Sequence, residues 1–143
     1  MPDTFLDKDK PANRFARARD AQSAALLEDY VEMIGDLIED LGEARVADIA
    51  VRMGVSQPTA TKSIARLKRE GLATSRPYRG VFLTEEGAAL ATRVRARHRT
   101  IVEFLIKMGV PEEIAELDAE GIEHHVSQVT LSVFETIVAG KGD

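Results

Sequence analysis

The sequence predicts a mainly α-helical protein, in which one helix, a pair of short helices and a two-stranded hairpin precede an all-helical second half. Three observations carry this. Apolar residues recur at helical spacing from about residue 21 onward. Two short helical segments flank a turn at Gly54. A strand-turn-strand pattern follows around Arg76-Pro77-Tyr78-Arg79-Gly80.

Taken in order, residues 1 to about 20 are polar, mixed in charge and interrupted by Pro2 and Pro11, which predicts a flexible N-terminal arm. From Ala21 to Leu41, Leu26, Leu27, Tyr30, Val31, Ile34, Leu37, Ile38 and Leu41 form a helical stripe, and Gly42 is a stop signal. A helix over 44–53 buries Val46, Ile49, Ala50 and Met53 and ends at Gly54. Ser56 then caps a helix with Pro58 in its first turn, burying Ala60, Ile64 and Leu67 and ending at Gly71. Two short helices about a glycine turn are a helix-turn-helix signature. The second helix keeps Gln57, Thr59, Thr61, Lys62, Ser63 and Arg66 off its apolar side, side chains of the kind that read base edges and phosphates.

Residues 72–84 read as a hairpin with a basic tip, the shape a wing along a phosphate backbone requires. Thr84 caps the next helix, whose first turn holds Glu85 and Glu86, where the helix dipole favours acids. Helix, helix-turn-helix and basic hairpin together predict a winged helix-turn-helix over 21–84. The long helix over 85–108 ends in Ile101-Val102-Glu103-Phe104-Leu105-Ile106-Lys107-Met108, too apolar for a solvated surface and suited to a bundle with a second copy. After Gly109-Val110-Pro111, a short helix is expected over 112–117, another from Asp118 or Ala119 through His125, and a last over 129–138 packing Leu131, Val133, Phe134 and Ile137. The expected domains are thus 1–20, 21–84 and 85–143.

Composition agrees with this reading and excludes others. The chain has 143 residues, 44% of them hydrophobic, enough for one compact unit or two small lobes with a shared core. No apolar run approaches the roughly 20 residues that span a bilayer, and the start lacks a secretory pattern. A soluble cytoplasmic protein with no membrane partner is expected. With no cysteine, disulfides, zinc-thiolate sites and thiol catalysis are excluded. The net charge of −5 divides unevenly. Residues 1–43 carry 5 Lys/Arg and 11 Asp/Glu, residues 44–102 carry 12 and 4, and residues 103–143 carry 2 and 9. A block of +8 therefore lies between −6 and −7, a polyanion-binding segment flanked by segments that attract cations.

The metal-ligating candidates fall in three places. Glu120, Glu123 and His124 stand at i, i+3 and i+4, one helix face. Asp29 and Glu32 are three apart on the first long helix, and His98 is alone in the middle of the later one. Each piece alone is more often a solvated face or a surface histidine. Together, four carboxylates and two imidazoles without sulfur suit Mn(II), Fe(II) or Zn(II), and the hardness of the oxygens leans towards Mn(II). His125 is turned about 100° from His124 around a helix and is expected outside the ligand set.

Residues from about Leu26 to Ile137 resemble the manganese transport regulators of the diphtheria-toxin-repressor family of metal-dependent transcriptional repressors. The resemblance rests on Asp29-Tyr30-Val31-Glu32, Gly54-Val55-Ser56-Gln57-Pro58-Thr59, Arg79-Gly80-Val81-Phe82-Leu83-Thr84 and, above all, Asp118-Ala119-Glu120-Gly121-Ile122-Glu123-His124-His125-Val126-Ser127. It implies a winged-helix domain followed by an all-helical dimerisation and metal-binding domain, acting as a homodimer on double-stranded operator DNA. It implies that Asp29, Glu32, His98, Glu120, Glu123 and His124 hold one or two Mn(II) ions per subunit, for which Fe(II), Co(II), Zn(II) or Cd(II) could substitute. It places Ser56, Pro58, Thr59, Thr61 and Lys62 on the operator-facing helix, to which the residue pattern itself adds Gln57 and Arg66 of that helix and Arg79 at the hairpin tip. Iron-sensing relatives place a cysteine at the position of Glu120 and a methionine at that of Asp29; carboxylates here point to manganese. No SH3-like third domain is expected, and the first 20 or so residues extend beyond shorter members. The competing readings are an Fe(II)-responsive repressor of the same fold, a small-molecule-sensing winged helix and a di-metal hydrolase. Low aromatic content argues against an organic ligand, and a closed six-ligand set argues against an enzyme.

Overall fold

The computed structural model describes residues 11–140. The order is α1 (Pro11–Leu41), α2 (Val46–Met53), α3 (Gln57–Arg69), β1 (Ala73–Arg76), β2 (Gly80–Leu83), α4 (Glu85–Lys107), α5 (Glu112–Ile122) and α6 (Gln128–Val138). The predicted class, mainly helical with one two-stranded antiparallel sheet, is the observed one. Two compact units divide it, with boundaries inside α1 and α4: Leu27–Arg97, and the flanking segments 11–26 with 98–140.

In the first unit, Tyr30, Val31, Ile34 and Leu37 of α1 pack with Ile49 and Ala50 of α2, Ala60, Ile64 and Leu67 of α3, Val81 of β2 and Ala91 of α4. The α2–α3 turn follows from its residues. Gly54 takes the left-handed conformation at φ +70° that ends α2. The Ser56 hydroxyl then accepts the Thr59 N–H at 3.3 Å, and Pro58 occupies the first turn, where a missing N–H costs nothing. β1 and β2 pair in register Ala73↔Leu83 to Arg76↔Gly80. Gly80 lies at φ +89°, and the Val81 N–H donates to the Ala44 carbonyl at 2.8 Å, so the loop before α2 braces the hairpin. A Cβ at residue 80 would stand 2.5 Å from that oxygen. At the other end, the Thr84 hydroxyl donates to the Gly71 carbonyl at 2.6 Å and accepts the Gly87 N–H at 3.1 Å, tying the start of α4 to the end of α3.

In the second unit, Ile101 and Val102 of α4 and Ala115 and Ala119 of α5 form a small core, flanked by Leu105, Val110, Ile122, Val126, Leu131 and Phe134. Phe104 and Phe134 stack with centroids 3.9 Å apart, joining α4 to α6. The Lys107 ammonium donates to the Ile137 carbonyl at the end of α6.

Two elements depart from expectation. α1 begins at Pro11, so the 11–20 half of the anticipated arm is helical, while residues 1–10 lie outside the described residues. The apolar stripe starts late, but Pro is favourable at a first helical position and the Ala- and Arg-rich stretch that follows has strong helix propensity. The expected break near Leu117 is absent: α5 runs unbroken from Glu112 to Ile122, and Glu123 is its C-cap. Ala115 and Ala119, four apart and fully buried, give this continuous helix its packed face.

Candidate metal centre and nucleic-acid interface

α5 delivers the carboxylates. Glu116 and Glu120 are one turn apart, and Glu123 keeps helical dihedrals (φ −58°, ψ −29°) although it ends the helix. His124 lies just beyond, in the turn to α6, and does not share a helix face as its spacing suggested. The groups converge nonetheless: Glu120, Glu123 and His124 each offer a ligand atom within 4.8 Å of the others. α4 adds His98, whose Nδ1 lies 2.8 Å from Glu123 Oε2 and 3.7 Å from Glu120 Oε1.

Glu123 is the unusual member. It is fully buried, the one charged side chain among the described residues to be so. Its Oε2 meets His98, but its buried Oε1 accepts no hydrogen bond among the described residues, with His124 Nε2 3.3 Å away. Burial, and then the charge of Glu120, push its carboxyl up to about 7. Burial alone would lower the His98 pKa, but hydrogen bonds to Glu116 and Glu123 and the charges of Glu123 and Glu120 outweigh it, and the net direction is up. A carboxylate buried at a cost, with an oxygen left over beside two imidazoles, is a site whose charge a divalent cation would offset. Oxygen and imidazole nitrogen without sulfur fit such a cation.

Glu116 is the residue that sequence reasoning missed: its Oε2 lies 2.8 Å from His98 Nε2. The signal was its i, i+4 spacing to Glu120, which the expected helix break concealed. His125 is exposed. Asp29 and Glu32 occupy α1 within the other unit, both half-buried.

On α3, Ser56, Gln57, Pro58, Thr59, Thr61 and Lys62 are exposed and Arg66 half-buried, while Ala60, Ile64 and Leu67 face the core. The Ser56 and Thr59 hydroxyls also bond each other at 3.0 Å, which fixes the helix start. At the wing, Arg79 and Tyr78 are exposed, and Tyr78 adopts a left-handed φ of +64°. Arg45 donates to the Tyr78 carbonyl at 2.9 Å and pairs with Glu43, and the Arg76 guanidinium lies over Phe82. The apolar side of the other unit is open: Ile106, Met108, Ile114, Leu117, Val129 and Val133 are exposed, and no residue of α6 is buried.

Residues 24–81 match the N-terminal DNA-binding domain of the iron-dependent repressors, and residues 84–139 match their metal-binding and dimerisation domain. The chain belongs to the iron-dependent repressor family. In such a repressor the helix-turn-helix and wing are the DNA-binding part, and the unit with the open α6 is the part that binds metal and dimerises. The protein is thus a metal-dependent transcriptional repressor that binds DNA and pairs with a second copy; it is not an enzyme. Among the relatives of this repressor, the transcriptional regulator MntR of Escherichia coli O157:H7 is 47% identical over 138 residues, 96% of this chain and 89% of the relative. MntR of Salmonella typhimurium (strain LT2) is 52% identical over 120 residues, 84% of this chain and 76% of the relative. The HTH-type regulator MntR of Bacillus subtilis (strain 168) is 42% identical over 101 residues, 71% of each chain. Among solved structures, the manganese regulator SloR superposes with a TM-score of 0.69 at 29% identity, over 79% of this chain and 53% of its own. The metal-dependent transcriptional regulator MtsR gives 0.72 at 27% identity, over the same shares. A manganese-dependent transcriptional repressor in complex with manganese gives 0.67 at 28%, over 79% and 52%. The chain spans about half the length of these solved structures. Among the described residues, no helix is long and apolar enough to cross a membrane.

Proposed function

We propose that this repressor responds to Mn(II): the metal-loaded homodimer grips a palindromic operator in the cytoplasm and silences genes of manganese uptake and homeostasis. The observation that carries the reading is the all-oxygen-and-nitrogen donor cluster around buried Glu123, with hard carboxylate oxygen at Glu120. The names of the relatives at 42–52% identity, all MntR, support the same metal.

His98, Glu120, Glu123 and His124 hold the ion, and Asp29 and Glu32 of α1 complete the ligand set for one or two ions per subunit. Bound metal supplies positive charge. In its absence four carboxylates repel one another, and the DNA-binding parts of the dimer are free to take up spacings that miss the operator. Ligation selects the geometry in which two copies of α3 enter successive major grooves, about 34 Å apart. Offsetting the acidic charge also lessens repulsion from the phosphates. Thr59 and Thr61 approach bases, Lys62, Arg66 and Arg79 contact phosphates, and Ser56, Gln57 and Pro58 form the operator-facing start of α3.

The competing effector is Fe(II), in keeping with the family being that of the iron-dependent repressors. Operator binding measured by fluorescence anisotropy against free Mn(II), anaerobic Fe(II) and a chelated control separates them. Half-saturation by Mn(II) at physiological free concentrations, with Fe(II) inert at its own, is the expected result. Equal response to both ions at those concentrations overturns the manganese assignment.

A further inference from the structure

The two ring nitrogens of His98 face different carboxylates. Nδ1 is 2.8 Å from Glu123 Oε2 and 3.7 Å from Glu120 Oε1, whereas Nε2 is 2.8 Å from Glu116 Oε2. The carboxylates themselves differ: Glu123 is fully buried and Glu116 is 54% exposed. The Nδ1 edge therefore looks into the donor cluster and the Nε2 edge looks out of it, towards a carboxylate one helical turn before Glu120.

From this geometry we propose that Glu116 is a positioning residue for the metal site. It accepts the Nε2–H of His98, fixes that tautomer, and so presents the unprotonated Nδ1 lone pair to the side where Glu120 and Glu123 lie. A neutral imidazole has one lone pair for a metal, and its other nitrogen then carries a proton that needs an acceptor. Histidine ligands are commonly held in this way by a carboxylate, which locks the ring and raises its basicity; loss of such a partner weakens metal binding roughly 10–100-fold. Glu123 is poorly placed for this task, because it faces the same nitrogen that the metal would use. α5 brings both acids to the ring at once: Glu116 and Glu123 are seven residues apart, two turns of one continuous helical face. The proposal rests on His98 being a metal ligand.

The test uses the full-length homodimer and Mn(II) alone, with affinity read by competition against a fluorescent chelator. Glu116→Ala is expected to weaken Mn(II) binding roughly 10–100-fold. Glu116→Gln keeps an acceptor and is expected to recover most of that loss. In a His98→Ala background, Glu116→Ala is expected to add nothing, since it acts through the ring. A second measurement does not depend on affinity. In protein loaded with ¹¹³Cd(II) and labelled with ¹⁵N-histidine, the cadmium coupling of His98 is expected at Nδ1, with a proton on Nε2. Coupling at Nε2, or a silent Glu116→Ala alongside a harmful His98→Ala, overturns the positioning role. Additive losses in the double variant overturn it too, because Glu116 would then meet the metal directly. If His98→Ala itself leaves the affinity unchanged, the reading of His98 as a ligand is what fails.

Discussion

Glu123 and His98 share a 2.8 Å hydrogen bond in which each group shifts the other's protonation, and both have their pKa values raised in the folded chain. The pair thus stores protons that a metal ion would have to expel. Folding without metal and binding of metal therefore depend on pH in opposite directions.

The first prediction follows from those directions. The Glu123 carboxyl is raised from its ordinary 4.5 to about 7, so its contribution to stability is complete below about 4.5 and is lost as pH rises through about 7. The His98 contribution is complete below its ordinary 6.5 and is lost as pH rises through its higher folded value. Metal-free protein is expected to lose stability from this cluster as pH rises from about 4.5 through about 7 and onward through the raised His98 value, so that it is weaker at pH 8 than at pH 6, while the gain in Tm from saturating Mn(II) grows over the same interval. Glu123→Gln mimics the protonated carboxyl; it is expected to stabilise the metal-free chain at pH 8 by about 1–3 kcal/mol and to abolish the Mn(II) increment. Thermal melts at the two pH values with and without metal check this. A Mn(II) increment that shrinks on going to pH 8 contradicts it.

Gly80→Ala provides the second. Its Cβ would meet the Ala44 carbonyl oxygen at 2.5 Å from a backbone at φ +89°, so both space and dihedral oppose it. A loss of about 1–3 kcal/mol is expected. The damage is local to the hairpin, and operator affinity is expected to fall at temperatures where the variant is fully folded, with Mn(II) affinity unchanged. Circular dichroism melts, anisotropy and chelator competition on one preparation separate the three quantities. Unchanged operator affinity in folded Gly80→Ala would show that the wing is dispensable.

The fold was legible in the sequence wherever one signal dominated. Glycine stops at Gly54 and Gly71, the Ser56 cap and period-3.6 stripes located α2 and α3 to within a residue or two. Legibility failed where a local signal and a tertiary one disagreed. Residues 11–20 have no apolar stripe, yet they are helical from Pro11 because propensity suffices. Leu117-Asp118 looked like a helix boundary, but buried Ala115 and Ala119 carry α5 through it. That one misplaced boundary hid Glu116. Glu120, Glu123 and His124 were legible as candidate ligands, although His124 lies beyond the helix face that their spacing suggested; the complete burial of Glu123 was not legible, because burial of a charge is decided by what packs over it.

At the wing, Arg79 is exposed beside the Tyr78 turn, with its backbone N–H bonded to the Arg76 carbonyl at 3.1 Å. An exposed cation on a fixed turn is suited to a phosphate, which carries no sequence information. Arg79→Ala is expected to weaken binding to operator and unrelated DNA by similar factors and to lower the slope of log K against log salt by about 1. Salt titrations with both DNAs measure this. Unchanged affinity and slope would remove Arg79 from the interface.

The metal preference itself is tested by Asp29→Met combined with Glu120→Cys. Mn(II) is the weakest binder of the first-row divalent series, so no site selects it by raw affinity; the repressor must respond only when geometry and charge suit the ion. Carboxylate oxygen at these two positions is hard, and sulfur in its place is soft. The swap is expected to make Fe(II) or Co(II) the better activator and Mn(II) the poorer one. The fold is expected to survive, because the Glu120 side chain is 61% exposed and neither residue belongs to either hydrophobic core. Operator binding is measured against free metal for wild type and double variant, anaerobically for Fe(II), with circular dichroism confirming that both are folded. A folded variant with an unchanged order of metals would show that Asp29 and Glu120 do not touch the ion. Loss of response to every metal would show that they hold it without choosing it.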